Sequence, residues 1–176
     1  MPTALPSLNI ASPDCADAFF AGRVRRQVRL HRAGSLAELR MVLERCLDDT
    51  VTPTTLDLIG HSTREHHLLR LGTTPTDMLE PQVARFFRTL AETRLLARLE
   101  IVAVRLLGCE TAVTDSGRRT LRLLAHTLRM PVYGTVKPLI KSHSTADGLN
   151  PQFAHLLMTS ARVPWSRQDS CVARRS

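Results

Sequence analysis

Several features that mark common protein classes are scarce or missing in this 176-residue chain. No run of about 18 apolar residues occurs, so the sequence predicts no membrane-spanning helix and no membrane partner. The first residues have neither a basic segment nor a long apolar one, and we therefore expect no secretory signal. No two cysteines have the Cys-x-x-Cys spacing, which excludes a zinc ribbon. We expect no metal ligands and no cofactor.

Aromatic residues make up only 4% of the chain, and lysine is nearly absent. The formal net charge is nevertheless +8, because all basic residues except Lys137 and Lys141 are arginines. A basic chain can bind nucleic acid or an anionic surface. The arginines are scattered, however, and a platform for single-stranded nucleic acid needs more rings. The sequence therefore favours a basic solvated surface and makes a nucleic-acid-binding module the weakest alternative.

The composition is typical of an ordinary globular protein, with 43% hydrophobic and 23% charged residues. We predict one domain over residues 1–161, followed by a basic tail over 162–176. Nothing indicates secretion, so we expect reduced cysteines in a cytoplasmic protein. Cys46 falls on the apolar stripe of a predicted helix and is interpreted as a packing residue. Cys15 and Cys171 have no pattern that indicates a function.

Strand patterns alternate with helix patterns along the chain. The helix over 36–48 begins with Ser35 as N-cap and Glu38 completing a capping box. The predicted strands are 5–11, 23–31, 56–60, 66–71, 101–107 and 131–134, and the other predicted helices are 81–99, 116–128 and 151–160. This alternation predicts an α/β domain with a mostly parallel sheet and helices on both faces.

Two residues with reactive side chains follow predicted buried strands. Gly60-His61-Ser62 comes after one strand, and Gly108-Cys109 comes after another. Function gathers at the carboxyl ends of parallel strands, so we expect His61 and Cys109 on one edge of the sheet. A thiol and an imidazole held together can act as a nucleophile and its acid–base partner. Backbone amides at such strand ends can form an oxyanion hole.

These segments resemble a known family. Leu56-Asp57-Leu58-Ile59-Gly60-His61-Ser62 is similar to the histidine motif of caspase-like cysteine peptidases, and Val104-Arg105-Leu106-Leu107-Gly108-Cys109-Glu110-Thr111-Ala112 is similar to their cysteine motif. The strongest likeness is to the bacterial CHAT-type branch. The segment Pro131-Val132-Tyr133-Gly134-Thr135 resembles the next core strand of that branch, so the resemblance covers roughly residues 55–135.

The resemblance implies a caspase-like three-layer sandwich with a Cys-His dyad. Cys109 would be the nucleophile and His61 its acid–base partner, while the backbone amides of Ser62 and Cys109 would stabilise the oxyanion. The family usually has glycine where this chain has Ser62. The caspase signature Gln-Ala-Cys is also absent, since Leu107 and Gly108 precede the cysteine. Strict caspase specificity is therefore not implied.

The sequence thus predicts an endopeptidase that cleaves a protein or peptide substrate through a thioacyl-enzyme, with an activating partner protein as a further expectation. The rival is a catalytically inactive interaction domain on the same fold. The substrate preference is open. A pocket built from acidic residues would favour Lys or Arg, and the arginine excess would favour Asp; the candidate acidic residues are Asp14, Asp57, Asp115 and Asp147.

Three other segments contain residue types that occur in functional sites. Ser62 does not fit the nucleophile elbow of an α/β-hydrolase, because Arg64 stands where that elbow needs glycine. Glu65-His66-His67 lacks a second group with ligand spacing and is interpreted as a solvated turn. Ser142-His143-Ser144 is interpreted as a polar loop on the same edge as His61, with a role in lining the substrate cleft as the alternative.

Overall fold

The structure, a computed structural model, describes residues 7–14, 30–49, 53–139, 143–145 and 148–162. In chain order, the strands are β1 (Ser7–Ala11), β2 (Leu30–Arg32), β3 (Thr55–Ile59), β4 (Arg70–Leu71), β5 (Thr74–Pro75), β6 (Ala103–Leu107), β7 (Val132–Thr135), β8 (Ser144–Thr145), β9 (Gly148–Leu149) and β10 (Leu157–Thr159). The helices are α1 (Leu36–Arg45), α2 (Pro81–Glu92), α3 (Leu95–Arg98) and α4 (Asp115–Leu128), and 3-10 turns span Cys46–Asp48, Pro151–Leu156 and Ser160–Arg162.

Six strands form the central sheet in the order β10-β7-β6-β3-β1-β2. All neighbours pair in parallel except β10, which pairs antiparallel with β7. The strands β4 and β5 form a separate hairpin, as do β8 and β9. The predicted α/β class with a mostly parallel sheet is therefore confirmed.

One face of the sheet carries the main core. Leu8, Ile10 and alternate residues of β3, β6 and β7 pack there against the apolar sides of α1 to α4. This alternation follows from the two-residue period of a strand. The helix α1 begins as predicted, because the Ser35 side chain accepts a hydrogen bond from the Glu38 amide and the Glu38 carboxylate accepts one from the Gly34 amide.

The opposite face carries a polar cluster next to a small apolar one. Arg105 makes two hydrogen bonds of 2.6 Å to the fully buried carboxylate of Asp57 and one of 2.8 Å to Ser7 Oγ. Ala11, Ile59 and Leu107 form the apolar cluster with Leu149 from β9. The helices that the structure describes pack on the first face. Helices on the second face, which a three-layer sandwich would also have, remain a prediction.

The predicted helix over 81–99 is wrong in its length. It breaks between α2 and α3, where Arg94 has a left-handed φ of 53°. At the end of α2, the Thr93 hydroxyl donates to the Thr89 carbonyl at 2.8 Å and so gives one of the last helix carbonyls a partner. The short α3 that follows buries Leu95 and Leu96.

The predicted helix over 151–160 is also wrong. A 3-10 turn begins at Pro151, and Leu157–Thr159 then forms the antiparallel strand β10. Leu157 and Met158 pack against opposite faces of the sheet, which is the pattern of a strand. A short apolar run does not distinguish a strand from a buried helix, so the sequence could not reveal it.

The remaining predictions on elements have mixed outcomes. The edge strand expected over 23–31 is described only from Leu30 onward, and residues 23–29 lie outside the described residues. The extended segment over 66–71 is a strand only at β4. Among the described helices, none is both long and apolar enough to cross a bilayer. The single domain over 1–161 stays a prediction, and the predicted tail lies outside the described residues after Arg162.

Candidate active site

His61 and Cys109 each lie two residues beyond the end of a parallel strand. The strands β3 and β6 are neighbours, and Ile59 pairs with Leu107 at their last positions. The Gly60 amide also donates to the Leu107 carbonyl at 3.4 Å, which ties the two chain segments together beyond β3. The register therefore places His61 and Cys109 on the same edge of the sheet, which is the edge where ligands bind in open α/β sheets.

The glycine before each residue is required by close packing. A Cβ at Gly108 would lie 2.6 Å from Ser62 Oγ, and a Cβ at Gly60 would lie 2.4 Å from the Arg70 carbonyl oxygen. Neither glycine has a positive φ, so it is the lack of space for a side chain, and not an unusual backbone conformation, that favours glycine here. The contact between Ser62 and Gly108 shows that the histidine motif and the cysteine motif touch directly.

Two threonines hold the turn that carries Cys109. Thr135 Oγ1 donates to the Gly108 carbonyl at 2.6 Å and accepts from the Thr111 amide at 3.1 Å. Thr111 Oγ1 donates to the Leu106 carbonyl at 2.8 Å and accepts from the Thr135 amide at 2.9 Å. Both side chains are buried. This reciprocal network fixes the backbone on both sides of Cys109 and links it to β7.

The segment after His61 folds back on itself. An isolated antiparallel bridge pairs Ser62 with Leu69. Its hydrogen bonds run from the Thr63 amide to the Leu68 carbonyl at 2.8 Å and from the Arg70 amide to the His61 carbonyl at 2.9 Å. The bridge fixes the backbone of His61 and leaves the Ser62 amide out of its hydrogen bonding. The Ser62 hydroxyl is buried, with no hydrogen-bond partner among the described residues, so it is poorly placed to act as a nucleophile.

Cys109 is a half-buried free thiol. Burial raises the pKa of this thiol, and the nearby Glu110 carboxylate raises it further, while a hydrogen bond from the Leu139 backbone acts in the opposite direction. The net pKa lies above the ordinary thiol value, so the resting side chain is protonated at neutral pH. Any attack by Cys109 therefore requires a base that takes the proton.

The loops after β3 and β6 lie in contact with each other at two places. His67 Nδ1 lies 3.2 Å from Glu110 Oε2, and both residues have left-handed φ values, 51° and 58°. Thr114 Oγ1 donates to the His66 carbonyl at 2.5 Å. The solvated turn expected over 65–67 is present at Glu65 and His66, which are exposed, whereas His67 is partly buried and lies beside Glu110.

The acidic residues considered for a substrate pocket are differently placed. Asp57 is fully buried and engaged by Arg105 on the second face, so it cannot line an open pocket. Asp14 pairs with Arg70 at 2.9 Å. Asp115 lies in the first turn of α4, and Asp147 falls outside the described residues. Thus, the described residues give no acidic pocket that includes Asp57.

The other predicted candidates have separate outcomes. His143 is buried, with its ring tilted against Phe153 at a centroid separation of 4.4 Å, and Ser144 lies in β8, so a plain polar loop is wrong for these two residues. Cys46 is buried in the main core, as predicted. Cys15, Ser142 and Cys171 lie outside the described residues.

Sequence reasoning missed the groups that support the two candidate catalytic residues. Thr111 and Thr135 appeared only as letters of the motifs, and their mutual hydrogen bonds depend on β6 and β7 being neighbours. Glu110 and Leu139 act on the Cys109 thiol from positions that no spacing rule identifies. No protein-family model matches this chain, and no curated protein matches it either.

Proposed function

We propose that this chain is a caspase-like cysteine endopeptidase of CHAT type, acting in a reducing compartment such as the cytoplasm. One observation carries the proposal: a half-buried thiol and an imidazole follow the in-register ends of two neighbouring parallel strands. The contact between Ser62 and Gly108 supports their proximity. The motif resemblance supplies the reaction class.

The proposed reaction begins with proton transfer from Cys109 Sγ to the His61 imidazole. The sulfur then forms a bond to the substrate carbonyl carbon, and the resulting oxyanion accepts hydrogen bonds from the amides of Ser62 and Cys109. Collapse of this intermediate breaks the C–N bond, and the His61 imidazolium gives its proton to the leaving amine. Water then attacks the thioester, with His61 accepting its proton, and releases the acid and the free thiol.

The raised pKa of Cys109 fits a general-base route. A protonated thiol does not form a standing ion pair with histidine, so the proton moves when substrate is bound. A protonated thiol is also a weak nucleophile. The raised pKa therefore favours a second candidate as well, a non-catalytic interaction domain on this fold. The two candidates differ in whether a bound peptide is cleaved.

The test is hydrolysis of a complex peptide mixture, with new termini identified by mass spectrometry. Wild type and His155→Ala, which changes an exposed histidine of a 3-10 turn, should cleave. Cys109→Ser and His61→Ala should lose at least about 1,000-fold in rate, with unchanged circular dichroism. Cleavage by Cys109→Ser at the wild-type rate would overturn the proposal. Binding of peptides without cleavage by wild type would favour the interaction domain.

A further inference from the structure

A second group of reactive side chains lies at β2, an edge strand of the central sheet, whereas the cysteine motif follows the central strand β6. His31 belongs to β2, which pairs with β1 at the end of the strand order. Its partner in the register is Ile10, which packs into the main core under the helices. Paired residues in neighbouring strands point to the same face, so the His31 side chain lies on the face covered by α1.

Cys46 and Asp49 lie where α1 ends. Cys46 caps α1 and begins the 3-10 turn, and Asp49 caps that turn, with its amide donating to the Cys46 carbonyl at 3.2 Å. Residues three apart on a helical turn share one side. The turn therefore presents a thiol and a carboxylate together, and both face the imidazole from β2.

The distances match those of a metal site. One ligand atom from each of His31, Cys46 and Asp49 lies within 4.8 Å of the other two. Cys46 Sγ is 3.6 Å from His31 Nε2. In a tetrahedral site with Zn–S of about 2.3 Å and Zn–N of about 2.1 Å, sulfur and nitrogen are separated by about 3.6 Å. Thiolate, imidazole and carboxylate are also the ligand types that Zn²⁺ accepts.

We propose that His31, Cys46 and Asp49 bind a zinc ion, with water as the fourth ligand. Binding replaces the Cys46 thiol proton, which passes to solvent, so that sulfur coordinates as thiolate. Cys46 is buried, His31 is partly buried and Asp49 is exposed. The site therefore has an open side at Asp49 through which the ion enters. The bound ion would connect the strand β2 to the end of α1.

Cobalt(II) is the probe for this site, because a cobalt–thiolate bond absorbs in the near ultraviolet. The full chain carrying Cys15→Ser, Cys109→Ser and Cys171→Ser retains Cys46 as its one thiol. After chelator treatment, this protein should bind one Co²⁺ with a thiolate band, and one equivalent of Zn²⁺ should abolish the band. Absence of the band, or a band that Zn²⁺ does not displace, overturns the proposal.

Ligand variants in the same background test the residue assignment. Cys46→Ser should abolish the band, and His31→Ala and Asp49→Asn should weaken Zn²⁺ affinity at least about 10-fold, since even outer-sphere partners of a metal contribute 10- to 100-fold. Asp49 is exposed, so its variant should fold even where Cys46→Ser does not. Asp48→Asn, the adjacent exposed carboxylate, should bind as the background does. Equal affinity in the Asp48 and Asp49 variants contradicts the proposal.

Discussion

At the residue scale, Glu110 contributes a negative charge beside the candidate nucleophile. It follows Cys109 in a left-handed conformation and lies beside His67. A left-handed backbone costs a non-glycine residue about 1–2 kcal/mol, so contacts elsewhere must maintain it. Its carboxylate also raises the pKa of the Cys109 thiol. Burial is the largest cause of this raised pKa, and Glu110 adds to it, so the carboxylate helps to keep the thiol protonated in the resting protein.

Glu110→Gln should make Cys109 more reactive. Removing the negative charge lowers the thiol pKa, so a larger fraction is thiolate at any pH below that value. We expect alkylation of Cys109 by iodoacetamide at pH 7 to accelerate about two- to fivefold, measured residue by residue by mass spectrometry. In wild type, the rate should continue to rise above the pH at which an ordinary thiol is fully ionised.

Glu65→Gln is the matched control, because Glu65 is an exposed glutamate of the histidine loop. It should leave the Cys109 alkylation rate at the wild-type value. An equal acceleration in both variants would show that overall charge, and not the position of Glu110, determines thiol reactivity.

At the element scale, β7 supports the cysteine turn through Thr135. Its hydroxyl joins the Gly108 carbonyl to the Thr111 amide, and both contacts are buried. The turn between β6 and α4 is therefore anchored on the neighbouring strand as well as on its own. A variant that keeps the shape of Thr135 but removes its hydroxyl measures the contribution of these hydrogen bonds alone.

Thr135→Val should lower the unfolding free energy by about 1–3 kcal/mol, because it leaves buried polar backbone groups without a partner. Any peptidase activity should fall by a larger factor than the loss of folded protein explains. Chemical denaturation and peptide hydrolysis at a temperature where the variant is folded measure the two effects.

Thr120→Val is the control for this substitution. Thr120 is also a buried threonine, but its hydroxyl has no hydrogen-bond partner among the described residues. Its replacement should change the unfolding free energy by less than about 0.5 kcal/mol or raise it. A Thr135 variant as stable as this control would show that the hydroxyl network does not anchor the turn.

The elements that the sequence predicted well are those with one strong local signal. The Ser35 cap, the buried strand before His61 and the strand before Cys109 depend on neighbouring residues alone. The strand β10 depends on pairing with β7, which is a tertiary property. The end of α2 depends on a left-handed turn at Arg94, which the apolar periodicity of 81–99 does not reveal. The edge shared by His61 and Cys109 was predictable because parallel topology dictates it. The contacts of Glu110 and Leu139 were not, since they join loops.

At the scale of the whole molecule, an ion pair on the second face of the sheet joins two central strands. Asp57 and Arg105 occupy paired positions of β3 and β6. Burial raises the pKa of Asp57, while Arg105 opposes this shift with its charge and its hydrogen bonds. Two central strands therefore depend on a buried charge and its partner.

Arg105→Met should destabilise the protein by about 3–5 kcal/mol, because it leaves a buried carboxylate uncompensated. The pKa of Asp57 in the folded variant then rises further above its unfolded value. The folded state holds the proton more tightly, so the unfolding free energy of this variant should increase as the pH falls toward the unfolded pKa. Denaturation at several pH values measures this.

The double variant Asp57→Leu/Arg105→Met provides the comparison. With both charges removed, it should recover at least half of the lost stability and show a smaller dependence on pH. A double variant no more stable than Arg105→Met would mean that the loss comes from packing of the arginine stem rather than from the orphaned charge.

The closing strand β10 has a consequence for the order in which the protein matures during synthesis. Among the strands that the structure describes, it comes last in the chain, and it covers the edge of β7, where the Val136 amide also donates to the Leu156 carbonyl. A ribosome-bound chain that has not yet exposed residues 156–159 leaves that edge unpaired. Since the cysteine turn is anchored on Thr135 of β7, the surroundings of Cys109 are complete only after residues 156–159 have emerged and paired with that strand.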